Sequence, residues 1–181
     1  MQIKKKFIIP LDDRITSNMY KESIKYLAKF KYRHYEISNF AKLGFESKHN
    51  MNYWYGYPYL GLGPSAVSYL GGIRQKNTSS VTDYIDKLNR GITTVVFSET
   101  LSKKRRAKEL AALKIRTYEG ISFDWFKENT GFDFLNLEND SLGQLLDDRL
   151  LRYRWQKKKR VGVCLTNKGF LFSDTVSSSF L

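Results

Sequence analysis

Near residue 95 the hydropathy pattern of the chain changes its period, and the change divides its 181 residues into two stretches of different grammar. Before it, short β-branched runs alternate with helical repeats. Lys6 to Leu11 is an apolar run interrupted by Pro10 and reads as a strand leaving its sheet. Asp12-Asp13-Arg14-Ile15-Thr16-Ser17 offers cap chemistry, and Met19, Tyr20, Ile24, Leu27 and Ala28 recur at helical spacing to about Phe30, with Lys21, Lys25 and Lys29 outside. Tyr32 to Ile37 is strand-like again, so strand, helix and strand suit a parallel βαβ unit. Ser38 to Trp54 reads as one long loop, too aromatic for disorder and therefore a place to look for function. Tyr59 to Leu70 is apolar around a glycine turn, Gly71-Gly72 marks a β-turn, and Val81 to Asn89 carries Tyr84, Ile85 and Leu88 on one helical face before Gly91.

From Thr100 the pattern becomes helical. Leu101, Ala107, Leu110, Ala111, Leu113 and Ile115 describe a helix with Lys103-Lys104-Arg105-Arg106 on its outer face. A second helix runs from Ser122 to Thr130 and stops at Gly131, and a third from about Leu142 to Leu151. Arg152 to Gln156 and Val161 to Leu165 alternate as strands around Lys157-Lys158-Lys159-Arg160, a hairpin with a charged tip, and Thr166-Asn167-Lys168-Gly169-Phe170-Leu171 opens a final short helix. Three helices and a two-stranded wing predict a small winged-helix-like α+β domain over residues 96–181, after an α/β unit over 1–95.

A composition of 41% hydrophobic and 27% charged residues excludes low-complexity and collagen-like chains. The formal charge of +13 favours polyanions or an acidic companion as partners. Cys164 is the single cysteine, which excludes an internal disulfide framework, a thiolate-only zinc site and a three-cysteine iron–sulfur site within this chain. The basic start Met1 to Lys6 is followed by an apolar run too short for a signal-peptide core or a membrane span, so a cytoplasmic, soluble protein is expected. Aromatic residues make up 15% of the chain, more than a small core requires, and are expected to line a surface or a cleft.

Three constellations carry chemistry. His49-Asn50-Met51-Asn52-Tyr53-Trp54, preceded by Tyr35-Glu36-Ile37-Ser38-Asn39-Phe40, suits a large planar ligand: a neutral imidazole is an axial ligand for haem iron, Tyr53 and Trp54 can stack on a porphyrin, and Asn50 can fix the ring tautomer. Spacing alone leaves open that His49 merely hydrogen-bonds its own loop; His34, in a strand, reads as a satisfied structural histidine. Gly61-Leu62-Gly63-Pro64-Ser65-Ala66 matches G-x-G-x-x-[GA] with Asp83 about twenty residues on, but Gly71-Gly72 and the polar run Gln75 to Ser80 replace the helix that a dinucleotide site needs. What remains is a tight glycine turn bringing amides close to a ligand or to a neighbouring strand. The basic runs Lys103 to Arg106 and Lys157 to Arg160 suit phosphate contacts or a solvated face, while Asp147 and Asp148 on the third helix argue against DNA reading. No catalytic triad, P-loop or H-E-x-x-H helix occurs, and no catalytic residue is assigned.

Taken together, Tyr35 to Ala41, Gly44-Phe45-Glu46-Ser47-Lys48-His49-Asn50-Met51-Asn52-Tyr53-Trp54 and Tyr59-Leu60-Gly61-Leu62-Gly63-Pro64-Ser65-Ala66 resemble one family. It is the radical S-adenosylmethionine family of oxygen-independent coproporphyrinogen III oxidase-like proteins, in its haem-chaperone branch. The resemblance continues through Gly72-Ile73-Arg74, Tyr84 and Leu165-Thr166-Asn167-Lys168-Gly169, covering nearly the whole chain as the family's C-terminal half. It implies the last βα units of a radical-enzyme (β/α) partial barrel over 1–95, followed by the family's winged-helix-like domain.

The resemblance also implies haem as ligand, with His49 on the iron and Asn50, Tyr53 and Trp54 beside it, and places Gly61, Gly63, Ala66 and Val67 near a cofactor. The family is one of oxidoreductases that use a 4Fe-4S cluster and S-adenosylmethionine, held by upstream cysteines and a glycine-rich strand that do not occur here. Radical chemistry is therefore not expected from this chain alone. Leu43 stands where many relatives have Pro, and Val67 where many have His. The expected partners are haem or porphyrin and a companion chain bearing the cluster, with nucleic acid disfavoured. Alternatives are a polyanion-binding winged-helix module, or a remnant or subunit of a split enzyme.

Overall fold

The computed structural model describes residues 11–181. They fall into two compact units, one ending at Ser47 and one running from Lys48 to Leu181. The border expected near residue 95 lies within the second.

In the first unit, helix α1 (Asp13–Lys29) begins at Asp12, whose carboxylate accepts the Arg14 amide at 2.8 Å and satisfies one of the unpaired N–H groups of the first turn. Strands β1 (Arg33–Glu36) and β2 (Asn39–Ala41) form an antiparallel pair with an irregular register between His34 and Glu36. Glu36, 1% exposed, explains the tight reversal: its carboxylate accepts the Ser38 amide at 3.1 Å and the Asn39 side-chain amide at 2.5 Å. Tyr20 Oη donates to the Ile37 carbonyl at 2.8 Å and lies 3.1 Å from His34 Nε2, while the His34 ring stacks on Phe40 at 4.8 Å.

One sequence expectation changes here and a second falls outside what is described. The loop expected over Ser38–Trp54 contains β2 and helix α2 (Lys48–Trp54), because Glu36 closes a hairpin and the stretch after Ser47 closes helical turns. The described partner of β1 is antiparallel, whereas the parallel pairing was expected with Lys6–Leu11, which lies almost wholly outside the described residues.

In the second unit, β3 (Val67–Leu70), β4 (Ile73–Asn77) and β5 (Val95–Thr100) form an antiparallel sheet in that order, with helix α3 (Val81–Asn89) between β4 and β5 in the chain. Gly71 and Gly72 have φ of 57° and 80°, the left-handed pair that a two-residue hairpin turn requires. The remainder comprises α4 (Lys103–Lys114), β6 (Ile121–Ser122), α5 (Phe123–Thr130), α6 (Phe134–Leu137), α7 (Asn139–Asp147), β7 (Leu151–Gln156), β8 (Lys159–Leu165), α8 (Asn167–Leu171) and α9 (Ser173–Ser178). Its sheet runs β6-β8-β7, all antiparallel.

The core of this unit lies where α4, α5, α7 and α9 meet that sheet. Ala111, Ile115, Ile121, Phe126, Val163, Val176 and Phe180 are fully enclosed, and the Phe134 ring meets Phe126 at 5.1 Å and Phe180 at 5.8 Å, both edge to face. The third helix begins at Asn139 and ends at Asp147 instead of reaching Leu151, because Leu151 pairs with Leu165 as the first residue of β7. Arg106 does not share the outer face of α4 with Lys103 to Arg105: its guanidinium turns inward to the Gly56 carbonyl. Among the described residues no helix is long and apolar enough to cross a membrane.

Candidate functional site

Helix α2 puts His49 and Tyr53 one turn apart on one face and Asn50 and Trp54 on the next, so a seven-residue helix gathers all four predicted haem contacts. His49 is exposed, and among the described residues no hydrogen bond ties either of its ring nitrogens. Its ring meets Tyr53 edge-on at 5.0 Å; Tyr53 meets Tyr59 at 4.8 Å, and Tyr59 leans on Tyr69 at 6.5 Å. The Arg106 guanidinium closes this aromatic file, 4.0 Å above the Tyr69 ring. On the neighbouring face, Trp54 is half-buried under Arg116, whose guanidinium lies 5.2 Å from the indole, and the indole Nε1–H is buried without an acceptor.

A buried donor with no acceptor beside a cation is chemically suited to a carboxylate brought in by a ligand. A free imidazole next to tyrosine and indole rings is suited to one axial bond and edge contacts to a flat macrocycle. The donor set therefore fits haem. It does not fit an iron–sulfur cluster: Cys164 is buried, its thiol pushed up by that burial, and among the described residues no group of three or more His, Cys, Asp or Glu side chains is placed to hold a metal.

The glycine turn follows Tyr59, whose ring meets Tyr53 of α2, and its polar groups are used internally. Gly61 N–H donates to Ser68 Oγ at 2.9 Å, Gly63 N–H to Tyr84 Oη at 3.1 Å, and the Asn77 side-chain amide donates to the Gly61 and Gly63 carbonyls at 3.4 and 3.0 Å. Glycine is required at 61 because a Cβ there would stand 2.2 Å from the Val67 carbonyl oxygen. Ala66 and Val67 are half-exposed, and Val67 opens β3 opposite Lys76. The Gly61 amide thus meets a residue of β3 and the Gly63 amide a residue of α3.

His34 is the satisfied histidine expected, lowered in pKa by burial and bonded to Ile37 and Tyr20. Sequence reasoning missed Lys114, 3% exposed at the end of α4, which caps the Tyr55 ring at 3.6 Å and is lowered in pKa by burial. It also missed Glu138, 2% exposed, whose carboxyl is raised to about 7 by burial, which outweighs the opposing charges of Lys108 at 3.8 Å and of Lys104. Neither has a sequence signal, since both occur in ordinary amphipathic spacing.

With this geometry in place, the fold can be matched. The solved structure of coproporphyrinogen III oxidase (HemN) from Escherichia coli, a radical SAM enzyme, superposes with a TM-score of 0.67 over 88% of this chain and 39% of that one at 16% identity. That likeness defines a mixed α/β chain with the HemN fold. The heme chaperone HemW of Lactococcus lactis is 34% identical over 173 residues, 96% of this chain and 44% of the relative, and that of Bacillus subtilis is 33% identical over 81% of this chain and 38% of the relative. A mitochondrial radical S-adenosyl methionine domain-containing protein 1 from Danio rerio is 27% identical over 80% of this chain. No family model matches the chain. The chain belongs to the oxygen-independent coproporphyrinogen III oxidase-like family, in its haem-chaperone branch, and spans less than half the length of the curated relatives it matches.

Proposed function

We propose that this chain is the C-terminal part of a haem chaperone and contacts haem through α2, with His49 as the iron ligand. Tyr53 and Trp54 flank the macrocycle, and Asn50 sets the face on which the imidazole is presented. The observation that carries the reading is the unbonded, exposed imidazole of His49 at the head of an aromatic file, with the unpartnered Trp54 indole N–H one turn away. Haem, when bound, would supply a Lewis-acidic iron that a neutral imidazole nitrogen can ligate. The chain supplies one nitrogen, flat apolar edges and, in the Trp54 indole N–H, a hydrogen-bond donor for a ligand carboxylate. Gly61, Gly63, Ala66 and Val67 enter the proposal as a cofactor-facing wall of the longer family protein, with Val67 packing where relatives present His.

The reading includes a barrel-derived part over 1–95 and a winged-helix-like domain over 96–181, supported by α4, α5 and α7 followed by the β7–β8 wing. It also includes a cytoplasmic setting and a companion chain that supplies the cluster and S-adenosylmethionine site. Radical chemistry is left to it, because one buried thiol holds no cluster.

The test is a haem titration of the purified chain followed at the Soret band. A shift that saturates near one haem per chain in the wild type and disappears in His49→Ala is expected. An identical spectrum in the variant removes His49 as the ligand, and no shift in a folded wild type removes the haem reading in favour of a split-enzyme subunit or a remnant.

A further inference from the structure

The first unit contains an open pocket of ≈ 580 Å³ at the end of α1, lined among the described residues by that unit alone. Lys31, Arg33 and Lys42 line it together with Tyr32, Leu43 and Phe45, and no acidic residue does. All three cations are exposed and have no ion pair among the described residues.

Their grouping follows from the backbone. Helix α1 closes with the Lys31 N–H donating to the Ala28 carbonyl at 3.0 Å and the Tyr32 N–H to the Leu27 carbonyl at 3.2 Å, the two bonds that end a helix on a left-handed residue. That residue is Lys31, with φ of 64°, where glycine is the unstrained choice. Arg33 then opens β1 opposite Ala41, so Lys42 follows at the same open end of the hairpin. Beyond it the Phe45 N–H donates to the Lys42 carbonyl at 2.9 Å and Gly44 has φ of 84°. This is a type II turn with Leu43 at its second position, the one that favours proline. A lysine thus stands where the backbone suits glycine, a leucine where it suits proline, and both side chains line the pocket.

Like charges gathered without an acid repel one another, and a dianion relieves that repulsion. Arg33 offers a fork matched to phosphate oxygens. Tyr32, Leu43 and Phe45, the last 80% exposed, offer flat and apolar surface beside it. Lys42 Nζ lies 5.6 Å from the centre of the Tyr32 ring, where the charged and aromatic parts of the pocket meet. The volume lies in the range of about 300–1,000 Å³ usual for small-molecule sites.

We propose that this pocket binds a small aromatic phosphate monoester, with the phosphate among Lys31, Arg33 and Lys42 and the ring against Tyr32 and Phe45. The site shares no residue with α2 and does not rest on the haem reading.

Phenyl phosphate is the probe, titrated calorimetrically into the full chain beside inorganic phosphate. Saturable binding is expected, at least about fivefold tighter than that of inorganic phosphate. Arg33→Gln should weaken it by about tenfold, and Lys31→Gly and Leu43→Pro by about threefold or more, with His49→Ala unchanged. Lys31→Gly and Leu43→Pro install the residues that their turns favour, so neither should lower the thermal midpoint, and a loss of binding in them is a loss of ligand contact. No saturable binding by a folded wild type, equal affinity for phenyl phosphate and inorganic phosphate, or variants that all bind as the wild type does overturns the site. Cosedimentation with phosphatidylglycerol vesicles in the absence of phenyl phosphate binding would assign these cations to a lipid surface and overturn it too.

Discussion

At the scale of single residues, Glu138 shows what burial does to a charge without a close partner. Its carboxyl, raised to about 7 from 4.5, holds its proton in the folded chain between those values while the unfolded chain releases it. The folded state then binds more protons, so stability falls as pH rises from 4.5 to about 7 and is flat in this respect above. Glu138→Gln removes the titration, so denaturant midpoints of the variant should hardly change across that window and exceed the wild type at pH 8; parallel profiles would contradict the assignment. Gly61 offers a steric counterpart. A methyl group there meets the Val67 carbonyl at 2.2 Å, and Gly61→Ala is expected to cost about 1–3 kcal/mol by thermal unfolding, where an unchanged midpoint would mean the strand yields freely. The sequence announced a close approach at Gly61, because two glycines and a proline cluster there. It gave no notice of Glu138, since burial of a lone carboxylate depends on which helix face the rest of the chain covers.

At the scale of elements, helices with caps were readable and strands with distant partners were not. The α1, α3 and α5 spans match their sequence boundaries to within a residue or two because each carries its own start: Asp12, Ser80 and Ser122 each accept an amide of the first turn. β5 and β6 have no turn of their own and exist only through pairing with β4 and β8, which local pattern does not contain. Within the site, His49, Asn50, Tyr53 and Trp54 were singled out by the family resemblance and expected in a loop, whereas spacing alone left them open, and the Tyr53–Tyr59–Tyr69 file depends on the Tyr59–Tyr69 backbone bridge. The β7–β8 wing joins both kinds of information: Lys157 and Lys158 adopt φ of 43° and 64° at its tip, and Arg160 lies 4.2 Å over Tyr153 and 5.5 Å over Trp155. Such a tip attracts polyanions through counterion release, but Asp147 and Asp148 end the preceding helix with the wrong charge for phosphate. Duplex DNA and heparin should therefore bind equally weakly, lose affinity steeply with salt, and stop binding when Lys157 to Arg160 are neutralised. A preference for one duplex sequence would instead revive DNA reading.

At the scale of the whole molecule, a chain that spans 44% of a relative has surface that a longer protein need not expose. Val81, Ile85, Leu88 and Ile92 recur every three or four residues along α3 and just beyond it, all exposed, and β5 is an edge strand with Val96 and Phe97 exposed. An apolar helical stripe and an unpaired strand edge both favour association, and the formal charge of +13 opposes indiscriminate aggregation without covering either. On the proposed function these features meet the companion chain, and in its absence they are expected to meet a second copy. Light scattering coupled to size exclusion should show the isolated chain self-associating with concentration, and Ile85→Lys combined with Phe97→Lys should return it to a monomer with its circular dichroism unchanged. Because Ile85 lies on α3 and Phe97 on β5, and neither on α2, a haem titration of the double variant should match that of the wild type. A wild-type chain that stays monomeric at high concentration would show that the apolar stripe is tolerated in solution, and would remove the physical argument for a companion on this face.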